Sequence, residues 1–167
     1  MTVDMQARVI SSIQDAHAME QSVTRMLERM IATTEDSEMR SILEEHLIET
    51  ERHEQLLLKR LEALGEAPSA GREVPAMLGA ALKGLTDMVR SDKPIKDARD
   101  GYVTEHLEIA TYRLLEELAD RSGDKETANV ASRIRADEEA MAERIASSWG
   151  RAVDRALAEE RDLEPTN

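Results

Sequence analysis

The chain has 167 residues, a formal net charge of −13, no cysteine and no phenylalanine. That length suits one domain with a full core and is short for two. The acidic balance argues against a nucleic-acid partner, because no basic surplus is there to displace phosphate counterions. Without thiols, disulfides, thiolate zinc sites and iron–sulfur clusters are excluded.

Leu, Ala, Glu, Met and Arg dominate, beside one Trp, two Tyr and seven Gly. These are helix formers, without the β-branched and aromatic runs of strands, so an all-α domain is expected. The first residues carry no basic-then-apolar signal pattern, and no apolar run approaches membrane-spanning length. The expectation is a cytoplasmic protein that does not enter a membrane.

In chain order, a first helix is predicted from about Asp4 to Thr33, ended by the polar run Thr34-Glu35-Asp36-Ser37. A second reaches Leu64, where Gly65 is a natural stop. Residues 66–73 read as a loop, and Val74 to Ser91 as a shorter crossover helix that Asp92-Lys93-Pro94 breaks. A third long helix spans about Lys96 to Arg121, Ser122-Gly123-Asp124 turns the chain, and a fourth runs unbroken from Lys125 to about Glu160. Residues 1–161 are expected to form one domain and 162–167 a disordered tail. Two antiparallel hairpins joined by a long crossover give a four-helix bundle with ferritin-like connectivity. The hairpins also resemble each other: Glu20 and Arg25 to Glu28 match Glu108 and Arg113 to Glu116 at an offset of 88 residues, which suggests an internal duplication.

The apolar seams carry charges in unusual places. Helix 1 reads Val9, Ile13, Ala16, Glu20, Val23, Leu27, Met30, and helix 2 reads Met39, Ile42, His46, Glu49, His53, Leu56. Helix 3 reads Ala98, Gly101, Glu105, Glu108, Tyr112, Leu115, Ala119, and helix 4 reads Ala131, Ile134, Glu138, Met141, Ile145. Alternating steps of four and three mark the buried face of a bundle helix, so every long helix is expected to bury a glutamate. Glu20 and Glu49 straddle the first turn, and Glu108 and Glu138 the second, each about 15 residues or roughly 22 Å away. His17, His53 and Glu105 are expected one layer farther from the turns, with His46 one layer nearer.

Four buried carboxylates without lysine or arginine in their seams need protons or cations. A pair of divalent metals held by bridging carboxylates satisfies them. Glu20, Glu49, Glu108 and Glu138 are the central candidate ligands, with His53 one turn after Glu49 and Glu105 beside Glu108. His17 and His46 are candidate ligands or supporting groups, and Tyr112, four residues after Glu108, is placed to orient a ligand carboxylate. Each has a plainer reading as solvated glutamate or packed core. The methionines are read as core filling.

The segments Asp15 to Gln21, Leu43 to Glu51, Glu105 to Tyr112 and Asp137 to Glu139 resemble, in order and spacing, the YciE/YciF-type family of ferritin-like proteins, over residues 10–147. The resemblance implies a dimeric, rubrerythrin-like bundle with a di-iron centre, labelled ferroxidase or stress-related. The expected protein thus holds two iron ions, with manganese or zinc as substitutes, and reacts with dioxygen or hydrogen peroxide. The alternative is a non-catalytic dimeric bundle with a structural or vestigial metal site, and a hydroxylase acting on an organic substrate ranks last. One departure stands out: no Glu-x-x-His occurs anywhere, and Met141 stands three residues after Glu138 where a histidine is expected.

Overall fold

The computed structural model describes residues 4–34, 37–69 and 93–163. These form five helices: α1 Met5–Thr33, α2 Ser37–Ala63, α3 Lys93–Ser122, α4 Lys125–Ser147 and α5 Trp149–Leu163. The crossover helix expected over 74–91 lies outside the described residues, as do residues 164–167 of the expected tail.

Local chemistry sets the helix ends. Asp4 caps α1 by accepting from the Ala7 N–H at 3.1 Å. α2 and α3 end in the same motif. Gly65 and Gly123 take φ of 77° and 82°, and the next residue's N–H reaches back to Leu61 and Ala119, each at 2.9 Å. Pro94 sits in the first turn of α3, where its missing N–H costs nothing, so it starts that helix. Asp124 closes the second turn and caps α4 through Thr127 N at 3.0 Å.

The expected unbroken fourth helix is corrected by the structure. It stops at Ser147, and Ser148 turns the chain, its hydroxyl donating to the Ile145 carbonyl at 2.8 Å. Consecutive serines compete for helix carbonyls and Gly150 adds backbone freedom, so the chain breaks where packing offers a return. α5 then lies against α3, with Trp149 edge-on to Tyr102 at 5.2 Å.

The hairpins pack head to tail. Arg60, near the end of α2, donates to Asp124 at 2.8 Å in the second turn. At the other end, Arg144 meets Glu45 at 2.9 Å and Arg151 pairs with Glu38 near the first turn. α2 therefore ends, and α3 begins, at opposite ends of the bundle. The helix starts share the same offset, since α1 and α3, and α2 and α4, begin 88 residues apart.

Two apolar layers enclose a polar middle. Toward the second turn pack Ile13, Leu57, Leu61, Leu115 and Ile134. Toward the first turn pack Val23, Met26, Leu27 and Leu43. Between them lie the buried acids and histidines.

Candidate metal centre

α1, α3 and α4 bury the glutamates their seams predicted: Glu20, Glu105, Glu108 and Glu138 are each at most 2 % exposed. α2 is rotated by one position from the expected seam. Its buried face is Leu43, His46, Thr50, His53, Leu57 and Leu61. His46 and His53 belong to both phases, because a gap of seven is bridged equally well at 49 or 50. Thr50 takes the interior place at 1 % exposure, and Glu49 is half-buried beside Glu105, outside the central groupings. The charge on Glu49 made it the more conspicuous of the two in the sequence, and the phase of the outer leucines decided against it.

The buried groups form two triads that share a member. Glu20, His53 and Glu138 converge within 4.8 Å of one another, and so do His46, Glu105 and Glu138. The expected common layer for His53 and Glu105 is corrected here. With the hairpins head to tail, farther from the turn in one means nearer the turn end of the other, so Glu105 levels with His46.

In the first triad, His53 Nδ1 lies 2.9 Å from Glu138 Oε1 and 3.9 Å from Glu20 Oε2. Neither approach has the direction of an N–H donation, leaving Nδ1 and Glu20 Oε2 without hydrogen-bond partners. The other ring nitrogen, Nε2, lies 3.3 Å from Asp137 Oδ2, which also receives a hydrogen bond from Arg52. Assigning the proton to Nε2 leaves a lone pair on Nδ1 aimed at the two glutamates, the usual arrangement of a metal-binding imidazole. Tyr112 donates to Glu20 Oε1, which holds that carboxylate with Oε2 turned inward. Tyr112, expected beside Glu108 of its own helix, reaches Glu20 across the bundle.

In the second triad, His46 Nε2 is 3.8 Å from Glu105 Oε1, and neither His46 Nε2 nor Glu105 Oε2 has a hydrogen-bond partner. Both oxygens of Glu108 are likewise buried without partners. His17 is buried at 6 % exposure but faces Glu54 electrostatically, outside both triads. Sequence reading missed Asp137 as a support for His53; its place directly before Glu138 was the available signal.

The electrostatics follow from this crowding. Burial first, then the Glu138 charge, pushes the Glu20 carboxyl up to about 8. The same two causes hold Glu105 and Glu108 well above the usual carboxylate range. Burial alone opposes charge on His53, but the Glu138, Glu20 and Asp137 carboxylates outweigh it and raise its affinity for a proton. Burial holds His46 low. Buried acceptors without donors are costly unless a cation supplies their missing partner. The residues therefore fit a metal: four carboxylates and two imidazoles, with unpartnered buried atoms on all of them but Glu138, suit iron, manganese or zinc.

The profile of a domain of unknown function, DUF892, matches residues 5–158. The chain belongs to this family. It is similar to a solved protein of Xanthomonas campestris pv. campestris, with 28 % identity over 94 % of this chain and 98 % of that one and a TM-score of 0.77. It also resembles the Escherichia coli stress protein YciF, at 17 % identity over 92 % and 99 % of the two chains, TM-score 0.79. Desulfovibrio desulfuricans bacterioferritin, a protein with a diiron site, matches at 18 % identity over 98 % and 90 %, TM-score 0.75. The fold is thus the ferritin-like bundle, and its neighbours include diiron-carboxylate proteins. Among the described residues, no helix is long and apolar enough to cross a membrane.

Proposed function

We propose that this chain is a dinuclear carboxylate protein that binds two ferrous ions in the buried layer and oxidises them with dioxygen or peroxide. The observation that carries it is the convergence of Glu20, His53 and Glu138, whose donor atoms lie within 4.8 Å of one another, with Glu20 Oε2 and His53 Nδ1 unpartnered. When bound, two ferrous ions supply the two electrons that convert hydrogen peroxide to two hydroxides. The chain's own residues prepare the place. Glu138 faces both triads and serves as the shared carboxylate. Asp137 fixes the His53 tautomer, and Tyr112 fixes Glu20. The protons that Glu20, Glu105 and Glu108 hold without metal leave as cations bind. The apolar layers on either side exclude bulk water from the acids.

Likeness to the stress protein YciF supports a role in stress protection; a cytoplasmic location and a homodimer complete the proposal, and size-exclusion chromatography with light scattering tests the dimer. A structural or vestigial site is favoured by one observation, Met141 and Thr50 in places where ligands are expected. The organic-substrate reading finds less support. The surface cleft of about 140 Å³ bounded by Tyr102, His106 and Glu139 is small and includes none of the triad residues.

Anaerobic ferrous titration followed by exposure to air or peroxide separates the first two readings. Binding followed by growth of near-ultraviolet ferric absorbance is the expected result. Binding with no oxidation leaves a structural site, and no binding of ferrous ion removes the oxidative reading and leaves a vestigial one.

A further inference from the structure

The duplicated hairpins allow a donor-by-donor comparison. At the offset of 88 residues shared by the helix starts, Glu20 falls on Glu108, Thr50 on Glu138 and His53 on Met141. A dinuclear bundle of this connectivity uses one glutamate from the first helix of each half and a Glu-x-x-His pair from the second. Each half here holds its first glutamate and one member of the pair. The first half keeps the histidine, with Thr50 buried in the glutamate's place; the second keeps the glutamate, with Met141 buried in the histidine's place. The regular set is therefore short of one carboxylate and one imidazole.

The buried layer holds one extra of each. His46 lies one turn before Thr50 on α2, and Glu105 one turn before Glu108 on α3. Their counterparts in the other half are Ile134 and His17, so neither belongs to the repeated set. Both are displaced toward the same end of the bundle, the end of the first turn, because α2 leaves that end and α3 starts there. They meet across the interior at 3.8 Å, and each has a donor atom within 4.8 Å of one on Glu138.

We infer that His46 and Glu105 are substitute donors that hold the second metal ion in place of the carboxylate and imidazole lost at Thr50 and Met141, about one helical turn along the bundle. This rests on the metal-binding reading above. The exchange restores four carboxylates and two imidazoles while making the two sites unlike. The first is Glu20, His53 and Glu138, backed by Asp137 and Tyr112. The second is His46, Glu105 and Glu138, with Glu108 alongside. Each has an imidazole of its own, so either can be removed without the other, whereas loss of Glu138 removes both.

The test is anaerobic titration of the full chain with ferrous ion alone, read by calorimetry and by elemental analysis after gel filtration, with helicity monitored by circular dichroism. The wild-type chain is expected to bind two ions, and His46→Ala, its milder form His46→Gln, and Glu105→Gln one each. His53→Ala is also expected to bind one. Two ions retained by helical His46→Ala and Glu105→Gln variants overturn the substitution while leaving the metal centre intact. One ion in the wild type overturns it equally. No ion in the wild type defeats the functional reading itself.

Discussion

The layer near the second turn and the polar layer beside it are equally buried and do opposite things. Ile13, Leu57, Leu61 and Ile134 are at most 1 % exposed and lose nothing by leaving water. Glu20, Glu105 and Glu108 are as deeply buried and hold atoms with no partner. The first layer stabilises the fold by itself; the second stabilises it only when a cation completes it. The candidate metal centre lies where buried atoms without partners are concentrated.

The largest expected effect lies in the apolar layer. Leu61→Ala should destabilise the protein by about 2–5 kcal/mol in both metal-free and loaded forms, measured by urea denaturation, with metal stoichiometry unchanged. A cost that vanished on metal loading would erase the distinction between the layers. Glu108→Leu should do the reverse. Removing two unpartnered oxygens should raise metal-free stability by roughly 1–3 kcal/mol and diminish the stabilisation that added metal gives. A destabilised metal-free variant would mean Glu108 has a partner in the fold.

Asp137→Asn sharpens the comparison within the polar layer. Weakening the support of His53 Nε2 should lower affinity at the first site roughly 10–100-fold and leave the second nearly unchanged. Equal loss at both, seen in competition against a chelator, would argue for a general structural effect.

The smallest effect is one of pH on the metal-free protein. Glu20, pushed up to about 8 from an ordinary 4.5, keeps in the fold a proton that the unfolded chain releases. The native state binds more protons across that window, so its stability falls as pH rises toward 8. Glu105, Glu108 and His53, all raised, act in the same direction. His46 and His17 are lowered from 6.5 and oppose it below that value. The clean window is pH 6.5 to 8, where the melting temperature of the metal-free protein should fall; metal loading should flatten the slope. A metal-free melting temperature that rises through this window would show that these acids are not protonated in the fold.

Periodicity carried far because three of the four seams offered one reading each. Val9 to Leu27 on α1, Glu105 to Ala119 on α3 and Ala131 to Met141 on α4 are buried as their spacing requires. On α2 two phases competed, since Met39, exposed, and Ile42 and Leu56, partly buried, give a seam as regular as Leu43, Thr50 and Leu57. Only packing against α1 and α4 chose between them. Asp137 is half-exposed and gives no periodic signal, so its contact with His53 appears only when α2 and α4 stand side by side.

By itself the sequence determined four long helices, two hairpin turns, and buried acids on α1, α3 and α4, because those follow from local propensity and helical spacing. Tertiary structure decided the rest: the break at Ser148, the choice of Thr50 over Glu49, and the pairing of His46 with Glu105. The last depends on the relative direction of the two hairpins, and an antiparallel pair fixes levels only within itself. What aligns one hairpin with the other is contact between them, as at Arg60 with Asp124 and Arg144 with Glu45. Spacing along a single helix cannot encode that alignment.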